Sequence, residues 1–269
     1  MSPPIALFVS DIDGTLVTAD KTLTAASVAA VERLARAGVA FTLISSRPPR
    51  GMARLVAALG VRLPIAGFNG GMLTHPDLRM ISANALQPAI AARALALLDT
   101  AGVQAWVFAG EDWLLRDPAA PEVWRERRTV GFEPISVTGF DAVSAPIGKI
   151  VGVSDDPSRL DACEAAARAA LGADAEINRS QAYYLDITDP KATKGAAVRA
   201  LCELIGAPLE RTVVMGDMFN DVSMFEVAGL AIAMGQAPDA VKAHAQRLTR
   251  SNAEDGFAAA VGDLLAEHR

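Results

Sequence analysis

Phe8-Val9-Ser10-Asp11-Ile12-Asp13-Gly14-Thr15 is the stretch on which the reading of this chain turns. The apolar run Ile5 to Val9 leading into it predicts a buried strand, bounded by Pro4 before it and Gly14 after. Side chains two residues apart in an extended segment point the same way, so Asp11 and Asp13 face one spot just past the strand end. Two carboxylates crowded there repel unless a cation lies between them or one holds a proton. A divalent ion with oxygen ligands fits that pattern. So does a nucleophile paired with a general acid, and so does a plain strand ending in an Asp-rich turn.

Three distant segments narrow the choice. Asp217 closes the apolar run Thr212-Val213-Val214-Met215-Gly216 and is followed by Asn220 and Asp221. Ser45 closes Val39-Ala40-Phe41-Thr42-Leu43-Ile44, with Arg47 behind it, and Lys194 opens a helical pattern after Thr193. In this order the four pieces resemble the haloacid dehalogenase superfamily of aspartate-nucleophile phosphatases. They match its DxDGT, its Ser/Thr after strand two, its Lys and its GDxxND, and the resemblance spans the whole length.

Composition agrees with a soluble enzyme. The 269 residues are 51% apolar but only 5% aromatic, so the core must be built mainly of Ala, Val and Leu. A net charge of −6 argues against a nucleic-acid surface, which needs a basic face. Met1-Ser2-Pro3-Pro4 and the short apolar run after it lack a basic export-signal region. No uncharged apolar segment reaches membrane-spanning length. A cytoplasmic protein with no membrane partner is expected. Cys163 and Cys202, both in Ala-rich helical patterns, read as buried thiols rather than a disulfide.

Strands alternate with helices at both ends of the chain, which predicts an α/β fold with a doubly wound parallel sheet. The N-terminal part reads as a strand, a helix after Thr24, the strand into Ser45, a helix near 52–59 and a third strand at 64–68. The C-terminal part reads as a helix over 194–205, the strand into Asp217, a helix over 221–228, a strand at 230–234 and two closing helices. Ligands in such sheets bind at the carboxyl ends of the strands, so Asp11, Ser45 and Asp217 converge on one crevice. The middle is mixed α+β: helices at 88–101, 122–129 and 157–171, and strands near 103–108, 113–115, 147–153, 175–177 and 183–187. An insertion of this size at this point resembles the C2-type cap of the Cof-like subgroup, class IIB. The resulting division is a core of 1–83 and 191–269 and a cap of 84–190.

The resemblance implies a role for each motif residue. Asp11 is the nucleophile, forming an aspartyl-phosphate, and Asp13 is the general acid and then base. Mg²⁺ is the implied cofactor, held by the Asp11 carboxylate, the Asp13 main-chain oxygen and Asp217, with Asp221 holding a water of its shell. Ser45 and Lys194 grip the phosphoryl oxygens, Lys194 from a helix N-terminus that is itself a good anion site. Asn69-Gly70-Gly71 resembles the family's NG turn beside the substrate, or is a plain loop. Asn220 is expected both to cap the next helix and to face the phosphate. Asp221 reads equally as a first-turn acid that complements the helix dipole. Arg47 reads as structural. Ser45-Ser46-Arg47 departs from the family's T-G-R: the hydroxyl survives, while Ser46 adds a side chain at the pocket mouth.

The expected function is a Mg²⁺-dependent phosphomonoester hydrolase acting on a small phosphorylated metabolite, a sugar phosphate or similar. A phosphomutase with the same nucleophile and a non-catalytic ligand-binding relative are the alternatives. On the cap, Arg125, Arg127 and Arg128 read as a solvated helix face. Tyr183 and Arg179 are the candidates for meeting the leaving group, and Trp106, Trp113 and Trp124 read as packing. His75, His244 and His268 are isolated and suggest no chemistry.

Overall fold

The computed structural model describes residues 5–267; Met1-Ser2-Pro3-Pro4, His268 and Arg269 lie outside the described residues. In chain order the elements are β1 (Leu7–Ser10), α1 (Ala25–Arg36), β2 (Ala40–Leu43), α2 (Pro49–Ala58), β3 (Ile65–Gly67), β4 (Met72–Thr74) and β5 (Met80–Ala83). Next come α3 (Pro88–Thr100), β6 (Gln104–Ala109), β7 (Asp112–Leu115), α4 (Val123–Val130), β8 (Ile135–Ser136), β9 (Ile147–Val153), α5 (Pro157–Leu171), β10 (Glu176–Gln181) and β11 (Tyr184–Thr188). The chain ends with α6 (Lys194–Ile205), β12 (Thr212–Gly216), α7 (Val222–Phe225), β13 (Leu230–Ala233), α8 (Asp239–Lys242), β14 (Arg247–Leu248) and α9 (Gly256–Glu267).

Five parallel strands make the first sheet, in the order β14-β13-β12-β1-β2. Their apolar side chains alternate between two layers of helices. Phe8, Phe41, Met215 and Ile232 pack against α1, α2 and α9, while Leu7, Val9, Val214 and Ala231 pack against α6 and α7. After β1 the chain winds one way to β2, and after β12 it winds the other way to β13. The switch point therefore lies between β1 and β12, the two strands that end at Asp11 and Asp217.

The third strand of the N-terminal half does not extend this sheet. β3 meets it at the parallel bridge Ile44–Ala66 but makes its ladder antiparallel with β4, and β4 with β5. Phe68 and Asn69, at φ 52° and 56°, turn the chain straight back, leaving no length for a crossover helix.

Between 104 and 188 lies a second sheet, ordered β10-β11-β9-β6-β7-β8 and antiparallel except for β7 with β8. One face carries Ala105, Val107, Ile150, Leu185 and Ile187 under α3 and α5. The other carries Trp106, Phe108, Trp113, Val151 and Tyr184, and Phe68 from the first half of the chain packs among them. Both free cysteines are buried. Among the described residues no helix is long and apolar enough to cross a membrane.

Candidate active site

The carboxyl ends of β1 and β12 build the floor of the site. Asp11 N donates to Met215 O (2.9 Å), extending the strand pairing by one residue. Gly14 then turns the chain at φ 84°, and a Cβ there would sit 2.2 Å from Asp217 Oδ2, so only glycine lets these two loops approach. Asp217 accepts from Thr15 Oγ1 (3.3 Å), and Gln236 Nε2 donates to Gly14 O (2.6 Å).

Lys194, the first residue of α6, is buried with its Nζ 2.6 Å from both Asp11 Oδ1 and Asp221 Oδ1. Thr193 caps that helix by accepting from Ala196 N. Asp221 is the orienting group: Oδ1 takes the ammonium, and Oδ2 accepts from Asp217 N and Met218 N (2.9 Å each). Asn220 does not cap the following helix as expected. The chain passes through a tight turn at Phe219–Asp221, where the Asp221 carboxylate takes the backbone N–H groups, and the Asn220 amide donates instead to Asn69 Oδ1 (2.9 Å).

That bond ties together the remaining predicted residues. Asn69 N donates to Ser45 O (2.9 Å), and Ser45 Oγ accepts from Arg47 N (3.2 Å). Gly70, at φ 96°, lies against Thr193 O, where a Cβ would be only 2.7 Å away. Ser45, Asn69, Gly70, Lys194 and Asn220 thus meet beside Asp11. The Asn69-Gly70 segment is a built turn rather than a plain loop. Asn69 Nδ2 and Asn220 Oδ1 are buried without a hydrogen-bond partner among the described residues.

The charges do not balance locally. Asp11, Asp217 and Asp221 each place an oxygen within 4.8 Å of the others, with Lys194 the cation among them. Burial pushes Asp11 up to about 7 even though Lys194 pulls the other way. Burial, then the Asp11 and Asp221 charges, push Asp217 up to about 8. Burial works against the Lys194 ammonium too, but Asp11 and Asp221 outweigh it and hold the amine above its ordinary range. A set of buried, mutually repelling carboxylate oxygens fits a hard divalent cation.

Asp13 sits differently. Arg47 Nε and Nη2 donate to its two oxygens at 2.7 and 2.8 Å, and Lys21 Nζ lies 2.8 Å from Oδ1. Burial alone would raise its pKa, but these two cations hold it well below the usual carboxylate range. As placed, Asp13 is an ionised acceptor, so a proton-donating role requires the Arg47 or Lys21 contact to loosen. Arg47, read from the sequence as structural, is the residue that grips it.

Further members come from the second sheet. Lys149, on β9, donates to Ser46 O (2.9 Å) and lies 3.3 Å from Asp186 Oδ2 on β11. Arg47 Nη1 donates to Thr129 O at the end of α4 (2.8 Å). Glu126, also on α4, is buried, which raises its pKa. Together with Asp13, Lys21, Ser46 and Tyr184 these residues enclose a cavity of about 30 Å³, room for about one water. Lys21, Glu126, Lys149 and Asp186 were not singled out in the sequence; for Lys149 and Asp186 a signal existed, a lone charge inside an apolar strand.

Of the cap residues predicted to meet the leaving group, Tyr183 lines this cavity. Arg179 does not: it is bound to Asp161, Glu164 and Ala182 O, on a different face. Trp106 and Trp113 are buried packing residues as expected, but Trp124 stands half exposed.

A family model for haloacid dehalogenase-like hydrolases matches residues 8–261, and the chain belongs to that family. The Escherichia coli pyridoxal phosphate phosphatase YbhA is 26% identical over 258 residues, covering 92% of this chain and 94% of the relative. A crystal structure of a haloacid dehalogenase-like hydrolase from Bacteroides thetaiotaomicron superposes with TM-score 0.87 at 26% identity, over 97% of this chain and 99% of that one. A subclass IIB sugar phosphatase of the superfamily shares the fold, cap included, with TM-score 0.84 at 22% identity over 96% and 98% of the two chains. The chain is a phosphatase-type enzyme built as a parallel α/β core with an inserted α+β cap.

Proposed function

We propose that the protein is a Mg²⁺-dependent phosphomonoester hydrolase of the cytoplasm that acts through an aspartyl-phosphate on a small phosphorylated metabolite with a polar, sugar-like leaving group. The observation that carries this reading is the Lys194 ammonium, buried 2.6 Å from Asp11, with Asp217 and Asp221 crowded behind it. Asp11 is the nucleophile toward phosphorus. Lys194, Ser45 and the Asn69–Asn220 pair line the phosphoryl group: the unpartnered Asn69 Nδ2 can donate to a phosphoryl oxygen, and the unpartnered Asn220 Oδ1 can accept from water. Asp11, Asp217 and, through a water, Asp221 would hold the ion together with the Asp13 carbonyl. Bound there, Mg²⁺ supplies positive charge that offsets the repulsion between carboxylate and phosphate dianion.

Asp13, released by Arg47 or Lys21, serves the leaving oxygen and then the attacking water. A cavity of about 30 Å³ holds no metabolite, so the cap, placed at 84–190, must swing open to admit one and close to exclude water. The pyridoxal phosphate handled by the Escherichia coli relative is a substrate of the size proposed. Phosphate release from a panel of phosphorylated metabolites, with and without Mg²⁺, tests the reading. Release requiring the ion is expected, and phosphate migration without release would favour a mutase instead.

A further inference from the structure

Phe68 and Asn69 are consecutive residues in the left-handed region, at φ 52° and 56°. Asn visits that region readily, whereas a bulky Phe persists there only where its surroundings over-determine it. On the backbone side the turn is tied to the loop after β2: Phe68 N donates to Arg47 O and Asn69 N to Ser45 O (2.9 Å each). The two side chains then part. The Phe68 ring is 1% exposed and enters the aromatic face of the cap, 5.8 Å from the Phe108 ring centroid. Among the described residues, the other buried members of that cluster all lie between 106 and 184. The ring rests against bare backbone of β9, where a Cβ at Gly148 would be 2.9 Å from Phe68 Cε2. The Asn69 amide instead accepts from Asn220 Nδ2 (2.9 Å), and its own Nδ2 stays buried and unpartnered among the described residues. We propose that Phe68 is a positioning residue through which the cap governs the phosphate site. Its ring, seated in the cap, holds the strained turn that aims the Asn69 amide at the phosphoryl group, so the site is complete only while the cap is seated. The inference rests on the hydrolase reading above.

Three observations separate this role from simple packing. If position 68 supplied only the shape of the turn, glycine would supply it without strain. What the ring adds is a contact that crosses from core to cap. Opening the cap removes that contact, and with it part of what holds Phe68 at positive φ. Asn69 is the next residue along the same turn, so relaxation at Phe68 carries the amide away from Asn220. The third observation is the unpartnered Nδ2. A buried N–H without an acceptor costs stability, and a phosphoryl oxygen supplies the acceptor. Bound phosphate therefore favours the turn that the seated cap favours, and the coupling is reciprocal: phosphate tightens the cap as the cap tightens phosphate.

The test compares kcat/KM on 4-nitrophenyl phosphate with Mg²⁺, and inhibition by inorganic phosphate, across a set of variants. Asn69→Ala and Phe68→Ala should each lower kcat/KM and weaken phosphate inhibition about 10-fold, the scale of one hydrogen bond to a charged group. Because Phe68 acts through Asn69, the double variant should also lose about 10-fold, whereas independent losses would multiply to about 100-fold. Phe68→Leu, which refills part of the socket, should recover part of the loss. Phe68→Gly, which suits the backbone but leaves the socket empty, should not. Leu115→Ala, which thins the same cluster from within the cap, should leave phosphate inhibition unchanged. Losses that multiply, wild-type function in Phe68→Gly or Asn69→Ala, or Leu115→Ala matching Phe68→Ala would overturn the role. If Phe68→Ala does not fold, the same cycle run with Phe68→Leu decides, and multiplying losses overturn the proposal equally. A wild type without Mg²⁺-dependent release from 4-nitrophenyl phosphate would instead overturn the hydrolase reading beneath it.

Discussion

The two large sheets handle charge in opposite ways. In the parallel sheet Asp11, Asp13, Ser45 and Asp217 lie just past strand ends, where the loops after β1, β2 and β12 can bend toward a shared point, and Lys194 joins them from the start of α6. In the antiparallel sheet Lys149 and Asp186 sit within strands, on the face that also carries Trp106, Phe108 and Tyr184. Strand-end loops can turn, so they can collect carboxylates and tune their spacing, whereas a mid-strand side chain can only project from its face. The strand-end loops therefore gather the crowded carboxylates Asp11, Asp217 and Asp221. The cap supplies a polar-aromatic ceiling, in which Lys149 is matched by Asp186 and Arg125 by Asp155.

The sharpest break in this comparison is expected at Asp11. Asp11→Asn should lower kcat by roughly 10⁴-fold or more for every substrate, the scale of nucleophile loss in covalent enzymes. It should leave the metal-free fold at least as stable, because it removes one of three crowded carboxylates. Turnover in a pure, folded Asp11→Asn sample would end the assignment.

Arg47 bridges the two regions, and its loss should act on stability. Arg47→Ala strips two hydrogen bonds from buried Asp13 and one from Thr129 O. Removing one partner of a buried pair costs about 3–5 kcal/mol, which the urea midpoint would report. The double variant Arg47→Ala/Asp13→Asn should recover part of the loss. A single-variant change below about 1 kcal/mol would show that the contact is dispensable.

Binding of Mg²⁺ should release protons. Without a cation, burial and mutual repulsion raise both Asp11 and Asp217 well above the usual carboxylate range, so the pair retains protons near neutral pH. An ion that needs them ionised must displace those protons, and its affinity should fall as pH drops from about 8 through 7. In the metal-free protein the same raised values make stability decline as pH climbs from the unfolded carboxylate range toward 8, because the folded state binds more protons there. Titration calorimetry in two buffers of different ionisation enthalpy reads the proton count, and equal heats in both would refute the linkage.

The smallest effect is expected on the outer face of α4. Arg127 pairs with Glu133 at 2.6 Å, but both side chains are exposed. Arg127→Ala should change stability by less than about 0.5 kcal/mol, as read from the urea midpoint.

Much of this protein was legible in the chain itself. The apolar runs that end in Asp11, Ser45 and Asp217 each commit a strand and its following loop, because period and composition act locally. The helix over 157–171 and the strand over 147–153 follow from the same rules and agree with the structure. The fate of 65–67 was not legible, because a short apolar run carries no record of which sheet it joins. Its antiparallel pairing was settled by the positive φ angles at Phe68 and Asn69 and the return into β4. Nor could the sequence assign Asp13 its cations. Lys21 is close in sequence but needs its own φ of 67° to face inward, and Arg47 arrives from a loop 34 residues away. Asp11, Ser45 and Asp217 were readable because each is set by its own strand, and Lys194 because it opens its own helix. What grips Asp13, which charges line the cap, and whether Trp124 faces solvent depend on contacts between segments far apart in the chain, and only the folded structure decided them.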